Sequence, residues 1–370
     1  MSKKLLITII ATAALLRIIS LGQGDLTGSD EIFYGFRAIG MLDYDHAPKQ
    51  TTPIEWFDQN NLKNHIVDYP STSSPQASSR QADKLDPNIK DIPWWTQLSF
   101  HDHPPLVFLV QHWFIQLFGE YKFAFRLPSA LAGILSVYLV YLIGKKLLSS
   151  KAGLISAALM AVTVNAVHNS RLGIQEPILI LLMLAATYFF LRADSADSAD
   201  STSSPQASSP QASSPQADDH PDAIRVGVPT KRREKYLLLS GAFWGLALIA
   251  KYNAIILAPI FLTYILISKR DWLTKKELWL GLLIAVAIFS PVIVYNLELY
   301  RAVGHFDFQF SYLLHQNPEI WQSAPGKEDA GSLLSRVIGF IPALAKANSW
   351  PLLLLSAAGL LWLIYRRQEA

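Results

Sequence analysis

The residues best equipped for chemistry are two adjacent carboxylates, Asp30 and Glu31, in the stretch GSDEIFY at 28–34. A carboxylate held at fixed depth beside a ligand can take a proton from a hydroxyl as a general base. The same pair also fits the first turn of a helix, with Ser29 or Asp30 as cap and Glu31 favoured by the helix dipole. A second cluster is SFHDHPPL at 99–106, which places His101, Asp102 and His103 in front of two prolines. In extended chain His101 and His103 share a face, a weak two-histidine site for a divalent metal. Asp102 or His103 equally caps a helix that starts at Pro104. A third is RLGIQEP at 171–177, where Arg171 needs an anionic partner, either Glu176 or a ligand, and Glu176-Pro177 reads as a helix start. Lys251 interrupts the apolar run 237–267, and Asn296 and Gln309 flank the alternating FDFQF at 306–310, strand-like or an interfacial aromatic anchor. Cations and carboxylates at one border of the lipid suit a phosphate-headed lipid, with helix N-termini assisting.

These residues must be positioned by helices. Half of the 370 residues are apolar (51%), and long apolar runs alternate with short basic loops, the pattern of an all-α, polytopic membrane protein. Its net charge of +3 gives no reason to expect nucleic acid, and with no cysteine there is neither disulfide, thiolate metal site nor cysteine nucleophile. The apolar run 5–21 lacks a small-residue cleavage site and reads as a retained span. Spans follow at 127–143, 152–168, 177–191, 236–250, 254–267, 278–295 and 351–365, about eight in all, with both termini cytoplasmic under the positive-inside rule. Lys145, Lys146, Lys151, Lys231–Arg233 and Arg366–Arg367 then lie inside, and loops 23–102 and 296–348 outside. For that to hold, 103–118 must be an interfacial helix rather than a span. A second surface helix starts at Asp30, with Ile32, Phe33, Phe36 and Ile39 on one face and Glu31, Tyr34 and Arg37 off it. The chain divides into an N-terminal membrane module, 1–192, a disordered cytoplasmic loop, 193–235, and a C-terminal module, 236–370. The tract STSSPQASS recurs at 71–79 and 201–209, and neither copy can bury a core.

The order of several motifs resembles one family. SDE near the first span, DHPPL at 102–106, RLPSALAG at 126–133, Arg-x4-acid at 171–176, GLALIAKY at 245–252, and Pro-x4-Asn with FQF are similar to the dolichyl-phosphate-mannose–protein mannosyltransferases. Relatives of that family include bacterial aminoarabinose transferases and other family 39 glycosyltransferases of the GT-C fold. The resemblance implies a plasma-membrane enzyme with two interfacial helices in a long first outside loop. It implies a polyprenyl-phosphate-linked sugar donor, a hydroxyl acceptor of unspecified kind, inversion, and a site at the outer face. Asp30 corresponds to the catalytic acid and Glu31 to its neighbour; Asp102 and His103 to the second run of the loop; Arg171 to the family arginine. Glu176 stands where an aspartate is usual. Arg171 and Lys251 would hold the donor phosphate, so that a metal is not obligatory. The rival reading is a lipid-linked sugar flippase, which expects polar residues along an inward route; the spans contain few.

Overall fold

The computed structural model describes residues 2–26, 28–40, 94–100, 102–202, 229–314 and 316, with isolated positions between 338 and 359. His101, both copies of STSSPQASS apart from its residues 201–202, and the expected span 351–365 lie outside the described residues, save isolated positions in that span. Chain packing separates Met1–Phe310 from Ser311–Ala370. In the second unit Ser311 Oγ donates to Gln316 Oε1 at 3.1 Å.

Among the described residues the secondary structure is entirely helical. In order the α-helices are α1 (Ser2–Ile18), α2 (Gly28–Gly40), α3 (Leu106–Phe118), α4 (Lys122–Leu147), α5 (Ser150–Val162), α6 (Val164–Ser170), α7 (Glu176–Thr202), α8 (Pro229–Ala250), α9 (Leu257–Ser268), α10 (Lys276–Val303) and α11 (Phe308–Leu313). Short 3-10 turns occupy Trp94–Gln97, Tyr252–Ile256 and Arg270–Thr274. Among the described residues three helices are long and apolar enough to cross a membrane, Lys122–Leu147, Glu176–Ala196 and Lys276–Ala302. A fourth crossing forms if α5 and α6, bent by 61° at Thr163, act as one broken span. α3 and the Tyr252–Ser268 segment are apolar but short. The FDFQF alternation does not make a strand: it leads into α11. Nor does the chain leave its helix at Asn296. α10 continues to Val303 and stops at Gly304, whose φ of 83° is the left-handed conformation that glycine adopts without strain.

Two packing groups position the site. α1 lies against α4, α5 and α6, and α7, α8 and α10 lie side by side, with α4 on α7. Their shared core is made of small and branched residues, among them Val107, Ala132, Leu182, Ala247 and Ala254. Small residues let helices approach closely where lipid gives no hydrophobic drive to associate. At the α8–α10 crossing the approach is closest: a Cβ on Gly241 would meet the Gly281 carbonyl oxygen at 2.0 Å. On the outer side of α10, Trp279, Leu283, Val286 and Leu297 are exposed, as expected of a lipid-facing surface.

Buried polar groups hold the broken span. The bend at Thr163 strips hydrogen-bond partners from the last carbonyls of α5. Arg17 of α1, fully buried, supplies them: its guanidinium donates to Ala161 O at 3.0 Å and Met160 O at 3.1 Å. Such a cation within apolar surroundings depends on the donors that are used, and here only the Arg17 Nε is left without an acceptor.

Candidate active site

α2 is the element on which the site turns. Its residues sort by helical spacing into three faces. Ile32, Phe33 and Ile39 are exposed apolar side chains, as the surface-helix reading expects. Glu31, Gly35 and Ala38 face the bundle; Glu31 and Ala38 are fully buried, and Gly35 lies close to the Phe125 ring. Asp30, Tyr34 and Arg37 form the third face.

The bundle face is structural. Glu31 is gripped by Arg126 of α4 through two parallel bonds, Nε to Oε1 at 2.7 Å and Nη2 to Oε2 at 2.9 Å. Gly173 N–H donates to the same Oε1 at 2.8 Å. Arg126 uses its remaining donors on the carbonyls of Leu21, Gln23 and Asp25. One ion pair thus ties the end of the first apolar run, α2, α4 and the 171–175 turn. Gly173 must be glycine there, since a Cβ would stand 2.0 Å from the Phe125 ring.

The third face meets the second cluster. Arg37 donates to Asp102 Oδ2 at 2.6 Å and to His103 Nδ1 at 3.2 Å, and His103 Nε2 lies 3.1 Å from the Tyr34 hydroxyl. Arg37 also sits over the Phe100 and Phe108 rings, a cation–π arrangement that fixes it without a second carboxylate. Asp102 and His103 precede α3 but do not cap it; the helix starts at Leu106 with Pro105 in the cap position. Burial raises the Tyr34 phenol well above its ordinary pKa, and the negative charges of Asp30, Glu176 and Asp102 add to the shift.

Glu176 opens α7, as Glu-Pro suggests, and is ion-paired with Lys251. Lys251 sits in extended backbone (φ −162°, ψ 136°) between α8 and the Tyr252–Ile256 turn. The next residue, Tyr252, donates to Asp307 Oδ2 at 2.8 Å; Asn296 reaches the same oxygen at 3.1 Å and accepts the Asp307 N–H at 2.8 Å. Asp307 also takes the Phe310 N–H at 2.9 Å, and burial raises its carboxyl pKa in spite of these bonds. Gln309 makes a long 3.5 Å contact to Asp102 O.

Three groups of expected site residues result: Asp102 and His103 are joined to Tyr34 and Arg37, with Gln309 reaching Asp102 O; Glu176 is joined to Lys251; and Asn296 is joined to Tyr252 and Asp307. Two expected site residues are engaged differently. Glu31 is locked to Arg126. Arg171 is not partnered by Glu176: its guanidinium donates to Leu16 O at 2.9 Å, Ile19 O at 2.8 Å and Ser20 O at 3.3 Å, closing the C-terminus of α1. Among the described residues no group of three His, Cys, Asp or Glu gathers as a metal site. The opposite end of the same helices is basic and tyrosine-rich: Arg192 bonds Tyr236, Lys269 pairs with Asp194, and Arg233 with Glu277.

Sequence comparison decides the likeness. Residues 102–200 and 226–295 match the family described as dolichyl-phosphate-mannose-protein mannosyltransferase. Over these segments the chain is mannosyltransferase-like. They hold Asp102, His103, Arg126, Arg171, Glu176 and Lys251. The Bacillus subtilis (strain 168) candidate mannosyltransferase YycA is 36% identical over 92 residues, 25% of this chain and 13% of that protein. The apo structure of ArnT from Cupriavidus metallidurans is 17% identical, with a TM-score of 0.49, over 93% of this chain and 49% of that one. The S. cerevisiae protein O-mannosyltransferase Pmt1–Pmt2 complex with its sugar donor is also 17% identical, with a TM-score of 0.43, over 84% of this chain and 35% of that one. The chain thus spans only part of the length of the proteins it matches.

Proposed function

We propose that this protein is a membrane glycosyltransferase that moves a sugar from a polyprenyl-phosphate carrier to a hydroxyl acceptor, with inversion, at the outer face of the plasma membrane. The observation that supports it most is the division of the two adjacent carboxylates. Glu31 is saturated by Arg126 and Gly173, whereas Asp30 lies exposed on the face shared with Tyr34 and Arg37. In this reading Asp30 takes the proton of the acceptor hydroxyl as its oxygen bonds to the anomeric carbon. The bond from that carbon to the phosphate oxygen breaks, and the negative charge left on the lipid phosphate is stabilised by Lys251. Glu176 holds Lys251 at that level until the phosphate competes for it. A phosphodiester donor has one negative charge to neutralise, so a metal is not obligatory. Arg171, whose guanidinium closes α1, contributes by fixing the 171–176 turn on which Glu176 stands. The basic opposite end of the bundle supports placing that end in the cytoplasm and Asp30 outside.

The test uses purified protein in nanodiscs with a polyprenyl-phosphate mannose and a mixture of hydroxyl acceptors, alongside donor-binding measurements. Asp30→Asn should abolish transfer, a loss of about a hundredfold or more, with donor affinity retained. Transfer by that variant at the wild-type rate would remove Asp30 as the base. Donor binding without transfer in any form of the protein would favour lipid-linked sugar transport.

A further inference from the structure

The contacts around His103 fix its tautomer, and with it the direction of a hydrogen bond. Arg37 is a permanent cation with donors only. Its Nη1 lies 3.2 Å from His103 Nδ1, so Nδ1 must offer a lone pair and the ring hydrogen resides on Nε2. One contact opposes this: Nδ1 is 3.1 Å from Asp102 Oδ2, and an Nδ1–H would point at a carboxylate. That arrangement would set an N–H against the Arg37 N–H groups, while Asp102 Oδ2 already accepts from Arg37 Nη2 at 2.6 Å. The Nδ1 lone pair is therefore the consistent assignment. Nε2–H then donates to the Tyr34 oxygen at 3.1 Å, the edge-on ring geometry (5.3 Å, 73°) agreeing. The Tyr34 hydroxyl hydrogen is left to donate to something else.

The charge around it says what that is. Besides burial, Asp30, Glu176 and Asp102 raise the Tyr34 pKa, and Arg37, bonded to Asp102 beside it, lowers it. Three negative charges against the one cation Arg37 disfavour a further anion at the phenol. An uncharged oxygen that both accepts a bond from Tyr34 and donates one to a carboxylate is favoured, and a carbohydrate hydroxyl is such a group. Tyr34 stands one helical turn after Asp30, on the same face. Resting on the glycosyltransferase reading, we propose that Arg37 and His103 hold Tyr34 as a hydrogen-bond donor to a hydroxyl of the transferred sugar, making it a residue that recognises the sugar rather than the phosphate.

Two measurements test this. Nitrogen NMR of histidine-labelled protein in nanodiscs, with His103→Gln identifying the signal, should show the Nε2–H tautomer; an Nδ1–H or doubly protonated ring overturns the relay. Binding of polyprenyl phosphate and of polyprenyl-phosphate mannose is then compared for wild type and Tyr34→Phe. Phenylalanine keeps the ring packing against Phe108 and removes only the hydroxyl. The expected result is about a tenfold weaker affinity for the mannosyl lipid, the value of one hydrogen bond, and unchanged affinity for the sugar-free lipid. Equal weakening for both lipids would put the phenol on the phosphate, and no weakening for either would take it off the ligand; each overturns the proposal. A wild type that binds neither lipid refutes the donor reading itself, a different outcome from an inert Tyr34→Phe.

Discussion

Glu31→Ala should damage the protein by unfolding it, not by disarming it. The side chain is fully buried, and its partner Arg126 is 5% exposed. Breaking a buried ion pair leaves an uncompensated charge and costs about 3–5 kcal/mol. The Gly173 N–H loses its acceptor too, about 1–3 kcal/mol more for a buried donor. At about 2–4 °C per kcal/mol for a chain of this size, the melting temperature of the purified protein should fall by roughly 10 °C or more. Asp30→Asn, one residue away but exposed, should melt within about 2 °C of wild type, as surface substitutions do. The assay is thermal unfolding in detergent of both variants prepared together, with transfer measured well below either melting point. A double variant, Glu31→Leu with Arg126→Leu, removes both charges and should recover part of the loss. Recovery stays incomplete because Arg126 also holds the carbonyls of Leu21, Gln23 and Asp25. If Glu31→Ala melts like wild type yet transfers no sugar, Glu31 acts in the chemistry and the division between the two carboxylates is wrong.

Lys251→Ala should weaken donor binding and turnover together, because it removes the proposed phosphate partner; unchanged donor affinity in a binding assay would reassign it to holding Glu176. Arg171→Ala should lower the melting temperature by a few degrees through the loss of three bonds to the α1 carbonyls, with donor affinity intact, and a fall in affinity without a fall in stability would return Arg171 to the phosphate. Burial raises the Asp307 pKa, so this group favours the folded state most when protonated, and that contribution is lost as pH rises through the raised pKa. The melting temperature of wild type relative to Asp307→Asn should therefore drop as pH rises above the ordinary carboxylate range, and a constant difference would refute the sign. Cysteines introduced at Ser74 and Ser209 should label from opposite sides of the membrane, and labelling from the same side would overturn the orientation.

The helical class, the surface helix at 28–40 and the approximate positions of α4, α7 and α10 were legible because each rests on a local pattern of twelve or more residues, which periodicity and charge report well. The expectation that Asp102, Glu176 and Lys251 belong to one site rests on motif order and on their shared border of the spans; the fold pairs Glu176 with Lys251 and Asp102 with Arg37. Those partners were not legible. Arg126 lies in RLPSALAG, inside an apolar run, and nothing local says that its guanidinium reaches Glu31 and the carbonyls of Leu21, Gln23 and Asp25 ahead of α2. Arg37 looked like one more polar residue on an amphipathic helix, yet it organises Asp102 and His103 from a sequence distance of 65 residues. The hint for both was available: a charged residue within a segment that must pack against apolar neighbours has to be paired. Arg17 carries the same hint more strongly, since it sits inside the first apolar run and is fully buried. Arg171 reads in the sequence as needing Glu176 or an anionic ligand; the fold gives its guanidinium other acceptors, the free carbonyls at and just beyond the end of α1.

The spacing of α2 accounts for both roles of its acids. Adjacent residues on a helix diverge by about 100°, so Asp30 and Glu31 cannot serve one surface. Position 31 continues to Gly35 and Ala38, small residues that let α2 lie close on α3 and α4. Position 30 continues to Tyr34 and Arg37, side chains long enough to reach Asp102 and His103 in front of α3. The buried pair at Glu31 fixes the depth and rotation of α2, and that rotation aims Asp30. An exposed carboxylate on an untethered surface helix would wander by several ångströms, more than a near-attack geometry tolerates. On the proposal that Asp30 is the base, Glu31 must be immobile for Asp30 to be useful, and Glu31→Gln, which keeps one carbonyl oxygen for Arg126 or Gly173 but not the bidentate charge, should slow transfer while leaving donor affinity unchanged. An unchanged transfer rate in that variant would mean that the aim of Asp30 does not depend on the buried pair.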